Sequence, residues 1–535
     1  MRQSFEKNIN TCLLPVALLA FLLFLGGSAS AQIYSDIFNF NSSTGDSPTN
    51  PQVMAQGQDG NLYGTLPQGF GNSGVVFKFI PATATYTILH YFAGTDGSRP
   101  VSGLTLGLDG NFYGTTVTGG SYNAGTIFKI TPSGTFTSLY TFTAGTDGGY
   151  PYGTPILGND GNLYGVTQYA TAYKITPSGV FTLLGTIPSR SYAPLYLGRD
   201  GNFYGTTLYG GTLNQGTVFK MNPSGVVTII YNFDTTHGAV PYAGVVQSGD
   251  GSFFGTTTAG GTGGGGVVYR VTQSGNIKVL HNFPVGTQSD GYDPIANVLL
   301  ATDGFSYGTA WAGGLNNYGV VFSIAPTGSY SILNQFDKPS GSNASSNMVQ
   351  HTNGSLYGMA NGGLSVDGVI YQLNVNLGIT LKPLLYAGKV GSAVQILGSG
   401  LTGATSLKFN GEPARFTLVS DNYLTTKVPS GATTGPITVK TPAGTYSTVF
   451  NFYVIPKVIS FTPTSGQVGT SVVITGNSFT GATKVTFGGV AATTFTVDSD
   501  TQITATVPSG AQTGKIGVTT AGGTGASSAI FTVLP

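Results

Sequence analysis

Acid–base and metal chemistry need carboxylates, histidines or thiols gathered in one place, and this chain offers few of each. Its most regular acidic residues are Asp59, Asp109, Asp160, Asp200, Asp250 and Asp303, each at the same point of a repeated motif. Cleaving a glycosidic bond takes a facing pair of carboxyl groups. Glutamate barely contributes: beyond Glu6 there is only Glu412, in the turn Asn410-Gly411-Glu412-Pro413. A hydrolytic site would therefore rest on aspartates. All six precede glycine in the motif, which is the chemistry of a tight turn. Calcium needs several oxygen ligands per ion, more than one aspartate per turn supplies. The histidines His90, His237, His281 and His351 fall in different repeats without paired ligand spacing, so core or strand-surface places suit them better than zinc. The sole cysteine is Cys12; no Gly-x-Ser-x-Gly elbow occurs, and the glycine run 263–266 lacks the Lys-Ser/Thr of a phosphate loop. No catalytic residue, metal site or cofactor is expected.

The aspartates head the sequence Asp109-Gly110-Asn111-Phe112-Tyr113-Gly114-Thr115, with variants starting at Asp59, Asp160, Asp200, Asp250, Asp303 and Asn353. The starts lie 50, 51, 40, 50, 53 and 50 residues apart, so seven units are present, each too small to bury its own apolar face. In the unit 100–142 turn signals separate four short β-stretches, Val101 to Gly107, Asn111 to Thr116, Thr126 to Thr131 and Thr135 to Phe142. Four strands in roughly 50 residues predict a propeller blade. The seventh unit lacks a fourth strand, and Ile33 to Phe40 resembles one, which predicts a seven-bladed β-propeller whose N-terminal strand closes the last blade. The third unit is shortened at its middle loop, Gln168 to Thr171, and at its outer connection, 185–194.

Composition agrees with an all-β chain: 8% of the 535 residues are charged, 40% are hydrophobic, and 83 are glycine. With a net charge of +1 and no basic run, nucleic acid is excluded as a partner. Residues 1–31 read as an export signal: Arg2 and Lys7, an apolar stretch from Leu13 to Leu25, then Ala29-Ser30-Ala31. Cleavage before Gln32 leaves no membrane span and predicts an extracellular or cell-surface protein. The propeller then occupies 32–376. From 377 the period changes, and residues 391–409 match 469–487 at a constant offset of 78. Two immunoglobulin-like β-sandwiches, 377–455 and 456–535, are expected, joined stiffly at Ile455-Pro456-Lys457.

Where the units agree, turns and packing explain the residues; where they differ, recognition becomes available. The middle loops and the connections between units share one face, opposite the Asp-Gly turns. That face offers Phe70, Tyr122, Tyr169, Tyr209, Trp311 and Tyr318, with Arg99, Tyr150, Arg190 and Asp293 from the connections. Aromatic platforms suit sugar rings or an extended polymer, and Trp311, the only tryptophan, is either part of one or a local filler.

The pattern Gly-Gly-x4-Gly-Thr-hydrophobic-Phe-Lys-hydrophobic-x-Pro-Ser-Gly at 119–134 and 210–225 resembles the GloVer repeat of exported bacterial tandem-repeat proteins. Departures are the third unit, without Gly-Gly, and Tyr269-Arg270 and Tyr371-Gln372 in place of Phe-Lys. The C-terminal pair, with Phe461-Thr462-Pro463 and Val507-Pro508, resembles IPT/TIG domains. Neither resemblance carries a catalytic motif. The function expected is a non-enzymatic exported binding or adhesion protein. Its loop face would recognise a carbohydrate or cell-surface polymer through Trp311, Tyr209, Tyr122, Tyr318 and Tyr169, the Ig-like modules serving as spacer or as contact for a protein partner. The alternatives are a polysaccharide-degrading enzyme using loop-face aspartates and a purely structural surface component.

Overall fold

A computed structural model describes residues 33–535 apart from 47, 49–52, 70, 72, 287–289 and 366. The expected export signal and Phe70 lie outside the described residues. Every regular element within them is a β-strand.

The repeats form seven four-stranded antiparallel sheets in chain order. The second is representative: Thr105–Leu106, Phe112–Thr116, Thr126–Ile130 and Phe136–Thr141, each paired with the next. Its first strand is shorter than the sequence suggests, because the chain before it bonds sideways: the Leu104 N–H donates to the Val53 carbonyl of the first sheet. In the seventh sheet Val349–Gln350, Leu356–Ala360 and Val369–Leu373 are completed by Tyr34–Asn39 from the N-terminal side of the chain, with a register shift between Asp36 and Phe38.

Each residue of the motif has a mechanical task. Gly110 turns the hairpin at φ +79°. The Asp109 carboxylate accepts the Asn111 backbone N–H at 3.2 Å, the Asn111 side-chain amide at 2.7 Å and the Tyr113 hydroxyl at 2.7 Å. Asp59, Asp160 and Asp200 repeat this clamp, and Lys78 and Lys220 join it at 2.8 and 2.9 Å. Burial opposes ionisation of these aspartates, but the hydrogen bonds outweigh it and hold all four carboxyls below their ordinary range. The fifth unit uses a variant: Ser252 replaces Asn, Phe254 replaces Tyr, and Arg270 pairs with Asp250.

The same tyrosines reach across units. Tyr63 stacks on Phe112 at 4.0 Å, Tyr164 on Phe203 at 4.2 Å, and Tyr204 packs on Phe253 at 4.1 Å between ring centroids. Motif threonines latch onto the following unit, with Thr115 donating to the Pro151 carbonyl at 3.0 Å and Thr206 to that of Ala243 at 2.7 Å. The outer strands stack too: His90 lies 3.9 Å above Phe136, Tyr140 above Phe181 and His281 above Tyr330, also at 3.9 Å. The motif glycine is a matter of space, since a Cβ on Gly114 would come within 2.6 Å of the Phe128 ring.

The first and seventh sheets meet through the same kind of bond that joins other neighbours. The Gln247 side-chain carbonyl accepts the Arg199 N–H at 3.0 Å, Gln350 accepts that of Thr302 at 3.2 Å, and Gln56 accepts that of Thr352 at 3.0 Å. The last links the first sheet to the seventh. Phe40, Leu62, Phe77, Tyr357 and Ile370 share one core there.

The two C-terminal modules are sandwiches. The first packs the sheet carrying Ala393–Leu397 and Tyr423–Lys427 on the one carrying Ser406–Phe409 and Ile437–Thr441, around Ile396, Phe409, Leu424 and Val439. The second repeats this around Val472, Ile474, Phe487 and Phe531, and strand Ser471–Asn477 alternates exposed and buried as its β-branched pattern requires. The second leans on the first through the Ser478 hydroxyl, which donates to the Ala432 carbonyl at 3.2 Å. The first is more than a spacer. Leu397 and Tyr423 enter the core of the first and second sheets, Asn422 donates to the Asp59 carbonyl at 3.2 Å, and Gln395 donates to that of Leu108 at 2.7 Å. It thus sits on the Asp-Gly side of the sheets.

Three units carry tyrosine where the others have phenylalanine in the third strand. The hydroxyls of Tyr173, Tyr269 and Tyr371 are buried without a hydrogen-bond partner among the described residues. Replacing each by Phe is expected to stabilise the protein by about 1 kcal/mol, read as a higher Tm by calorimetry, because an unpaired buried hydroxyl is removed. Tyr113→Phe, which strips a partner from Asp109, is expected to destabilise by about 1–2 kcal/mol in the same assay.

Candidate functional site

In a four-strand meander the Asp-Gly turns and the turns between strands three and four share one end, and the middle loops and connections share the other. Because the first sandwich covers part of the former, the latter is the freer face for recognition. The connection residues there are held in one conformation: Arg99, Tyr150, Val240, Asp293 and Asn343 all have positive φ, between 46° and 61°. Each N–H donates to the preceding unit, as from Tyr150 to the Ala124 carbonyl at 2.8 Å. The backbone is therefore constant while the side chain varies.

Aromatic residues concentrate over the third, fourth and fifth units. Tyr152 packs on Tyr192 at 4.5 Å and Tyr192 on Tyr242 at 5.1 Å, a continuous arc of three half-buried rings. Gln168, from the shortened loop of the third unit, donates to the Tyr192 hydroxyl at 3.0 Å. Beside it Tyr169 meets Tyr150 edge-on at 5.3 Å, and the Arg190 guanidinium lies 4.6 Å from the centre of the Tyr209 ring. Burial raises the Tyr152 hydroxyl above its ordinary range, with the Arg99 charge pulling the other way; burial and the neighbouring tyrosines likewise raise Tyr242. Tyr152 and Tyr242 stay protonated donors at neutral pH.

Of the five aromatic residues expected to bind, the structure brings Tyr169 and Tyr209 into this region and leaves three elsewhere. Trp311 is 40% exposed and Tyr122 63% exposed, and neither makes a ring contact among the described residues. Tyr318 packs against the core between the sixth and seventh sheets. The arc members Tyr152, Tyr192 and Tyr242 were not singled out from sequence. Their signal was positional: they occupy one register, Pro-Tyr-Gly, Ser-Tyr-Ala and Pro-Tyr-Ala, ahead of three successive first strands.

The polar candidates are largely committed to their own loops. Asp96 bonds His90 at 2.8 Å, Asp147 bonds Tyr140 at 2.9 Å, Asp234 bonds His237 at 2.8 Å and Asp290 bonds His281 at 2.9 Å. Asp293 differs, with burial pushing its carboxyl upward. Among the described residues no group of three or more His, Cys, Asp or Glu converges as metal ligands would, and no helix is long and apolar enough to cross a membrane.

His351 lies at the junction of the seventh and first sheets. Its Nε2 is 2.7 Å from the Gly60 carbonyl and so carries the proton, while Nδ1 accepts the Asn353 N–H at 3.1 Å. Both nitrogens are satisfied only in the neutral ring. Burial accordingly lowers its pKa below the ordinary histidine value. A base held neutral in the folded state contributes stability above its unfolded pKa, near 6.5, and loses it as pH falls below that value. Tm is expected to drop between about pH 6.5 and pH 5. The drop should be smaller in His351→Gln, whose amide also donates to Gly60 but does not titrate.

A profile of the Gloeobacter/Verrucomicrobia repeat matches residues 27–193 and 190–411, and one of the IPT/TIG domain matches 381–453 and 456–533. A search of curated proteins finds no match. Among solved structures, similarity is found to a copper-bound fungal alcohol oxidase of the AA5 family, with 14% identity over 76% of this chain and 98% of that one at a TM-score of 0.44. The extracellular domain of a putative hybrid two-component system from B. thetaiotaomicron gives 11% identity over 92% and 65%, also at 0.44. A surface glycan-binding protein from Prevotella bryantii gives 21% over 28% and 41%, at 0.21. The chain belongs to the Gloeobacter/Verrucomicrobia repeat family, and two IPT/TIG domains follow its repeats.

Proposed function

We propose that the seven sheets are the blades of a closed propeller and that the protein is an exported, non-enzymatic binder of carbohydrate or cell-surface polymer. Closure is supported by the Gln56–Thr352 bond, which repeats between the first and last sheets the bond made between the sixth and seventh. Export rests on the charge and hydropathy pattern of the first 31 residues.

The observation that carries the binding role is the tyrosine arc. Three rings in one register, flanked by the Tyr150–Tyr169 pair and the Arg190–Tyr209 stack, make an apolar surface edged with hydroxyl and guanidinium donors. Sugar rings present apolar C–H faces and peripheral hydroxyls, and this surface complements both. The second sandwich, bonded to the first, offers a surface for attachment or for a protein partner.

Titration of the full mature chain against a polysaccharide panel tests this. Tyr152→Ala combined with Tyr192→Ala is expected to weaken binding at least about tenfold, the equivalent of two stacking contacts, while Tyr122→Ala leaves it unchanged. No binding to any glycan, or equal binding by the double variant with an unchanged Tm, overturns the assignment.

A further inference from the structure

On the opposite side from the tyrosine arc, the first strands of all seven sheets and the segment 380–387 of the first sandwich line a partly open cavity of about 490 Å³. Its size falls within the ~300–1,000 Å³ of small-molecule sites. Most of its wall is hydrocarbon, contributed by residues such as Leu106, Ile156, Leu157, Leu299 and Leu384.

Among the described residues its charged groups are two cations, Arg199 and Lys382, and no carboxylate lines it. Arg199 is partly committed, donating to the Gly249 carbonyl at 3.0 Å and lying 5.0 Å from the centre of the Phe450 ring. The amides of Gln56 and Gln350 are spent on the bonds between sheets. Lys382 stands at the start of the first sandwich, its backbone fixed by pairing with Leu397. Its side chain lines the cavity with neither a hydrogen bond nor an ion pair among the described residues. An ammonium against an apolar wall without a counter-ion is costly, and a bound anion lowers that cost.

We infer that this cavity is a binding site for an amphipathic monocarboxylate, whose carboxylate pairs with the Lys382 ammonium while its hydrocarbon body lies against the leucine wall. The Arg199 bond to Gly249 is exposed, where water screens its charge, so the unpartnered Lys382 ammonium suits one negative charge; a phosphate or sulfate dianion would bury a second charge against hydrocarbon. Burial holds the Lys382 amine below its ordinary range, and the carboxylate of the ligand favours its charged form. Because one wall belongs to the first sandwich, occupancy also ties the sandwich to the sheets.

The test uses the full mature chain equilibrated overnight with octanoate, octanol or octylamine and followed by calorimetric titration and Tm. Octanoate is expected to bind at least about tenfold more tightly than octanol, the value of one charge-assisted hydrogen bond, and octylamine not at all. Lys382→Met should reduce octanoate to the level of octanol, with the ligand-free Tm equal or higher; Lys382→Arg should retain the preference. Equal binding of octanoate and octanol, retention of the preference by Lys382→Met, or no binding of octanoate overturns the site. The ranking of the three probes on the unaltered protein decides the question even if a variant fails to fold. Its outcome is independent of glycan binding at the tyrosine arc.

Discussion

A motif tyrosine joins the inside of a sheet to its neighbour. In the first, third and fourth units the motif tyrosine gives its hydroxyl to the aspartate of its own hairpin and its ring to the aromatic residue of the next unit, as Tyr63 does with Asp59 and Phe112. The two demands reinforce each other. A ring anchored at its hydroxyl cannot swing away from its stacking partner, and a stacked ring keeps its hydroxyl over the carboxylate. A sheet of four short strands has too little core to stand alone, so stability resides in these shared surfaces. The array is consequently cooperative from one unit to the next.

That arrangement frees the other end of each sheet. Because turns, glycines and threonine latches are spent on holding units together, the connection residues keep a common backbone and differ only in side chain. Arg99, Tyr150, Val240, Asp293 and Asn343 share one conformation and five chemistries. Recognition then becomes a question of which neighbouring units place compatible side chains side by side. The third to fifth units do so with tyrosine.

The first sandwich gives the opposite end a different character. It buries Leu397 and Tyr423 against the sheets and lays Phe450 beside Arg199, forming with the first strands a partly open apolar cavity. The junction between the two sandwiches is short and bonded, so whatever the second module contacts is held at a defined place relative to the repeats.

The seven units, the four strands in each, the two sandwiches and the N-terminal strand of the seventh sheet were legible in the sequence. They depend on period, on alternation and on turn residues, all of which are local. The Asp-Gly turns were legible too, but only half of their meaning: that Asp109 also fastens Tyr113 follows from a hairpin folding back over four residues, which spacing alone does not rank above other uses of a tyrosine. The candidate sites were less legible. Tyr152, Tyr192 and Tyr242 lie 40 and 50 residues apart, and nothing in the chain between them says that their rings will touch. Trp311 drew attention by rarity, which is a property of composition and carries no information about neighbours. Lys382 reads as an ordinary lysine until the sheets and the sandwich enclose it. Local sequence determines which elements form because backbone preference and side-chain period act over a few residues. Only the tertiary structure decides which elements share a surface, because contacts between units arise from how whole sheets stack.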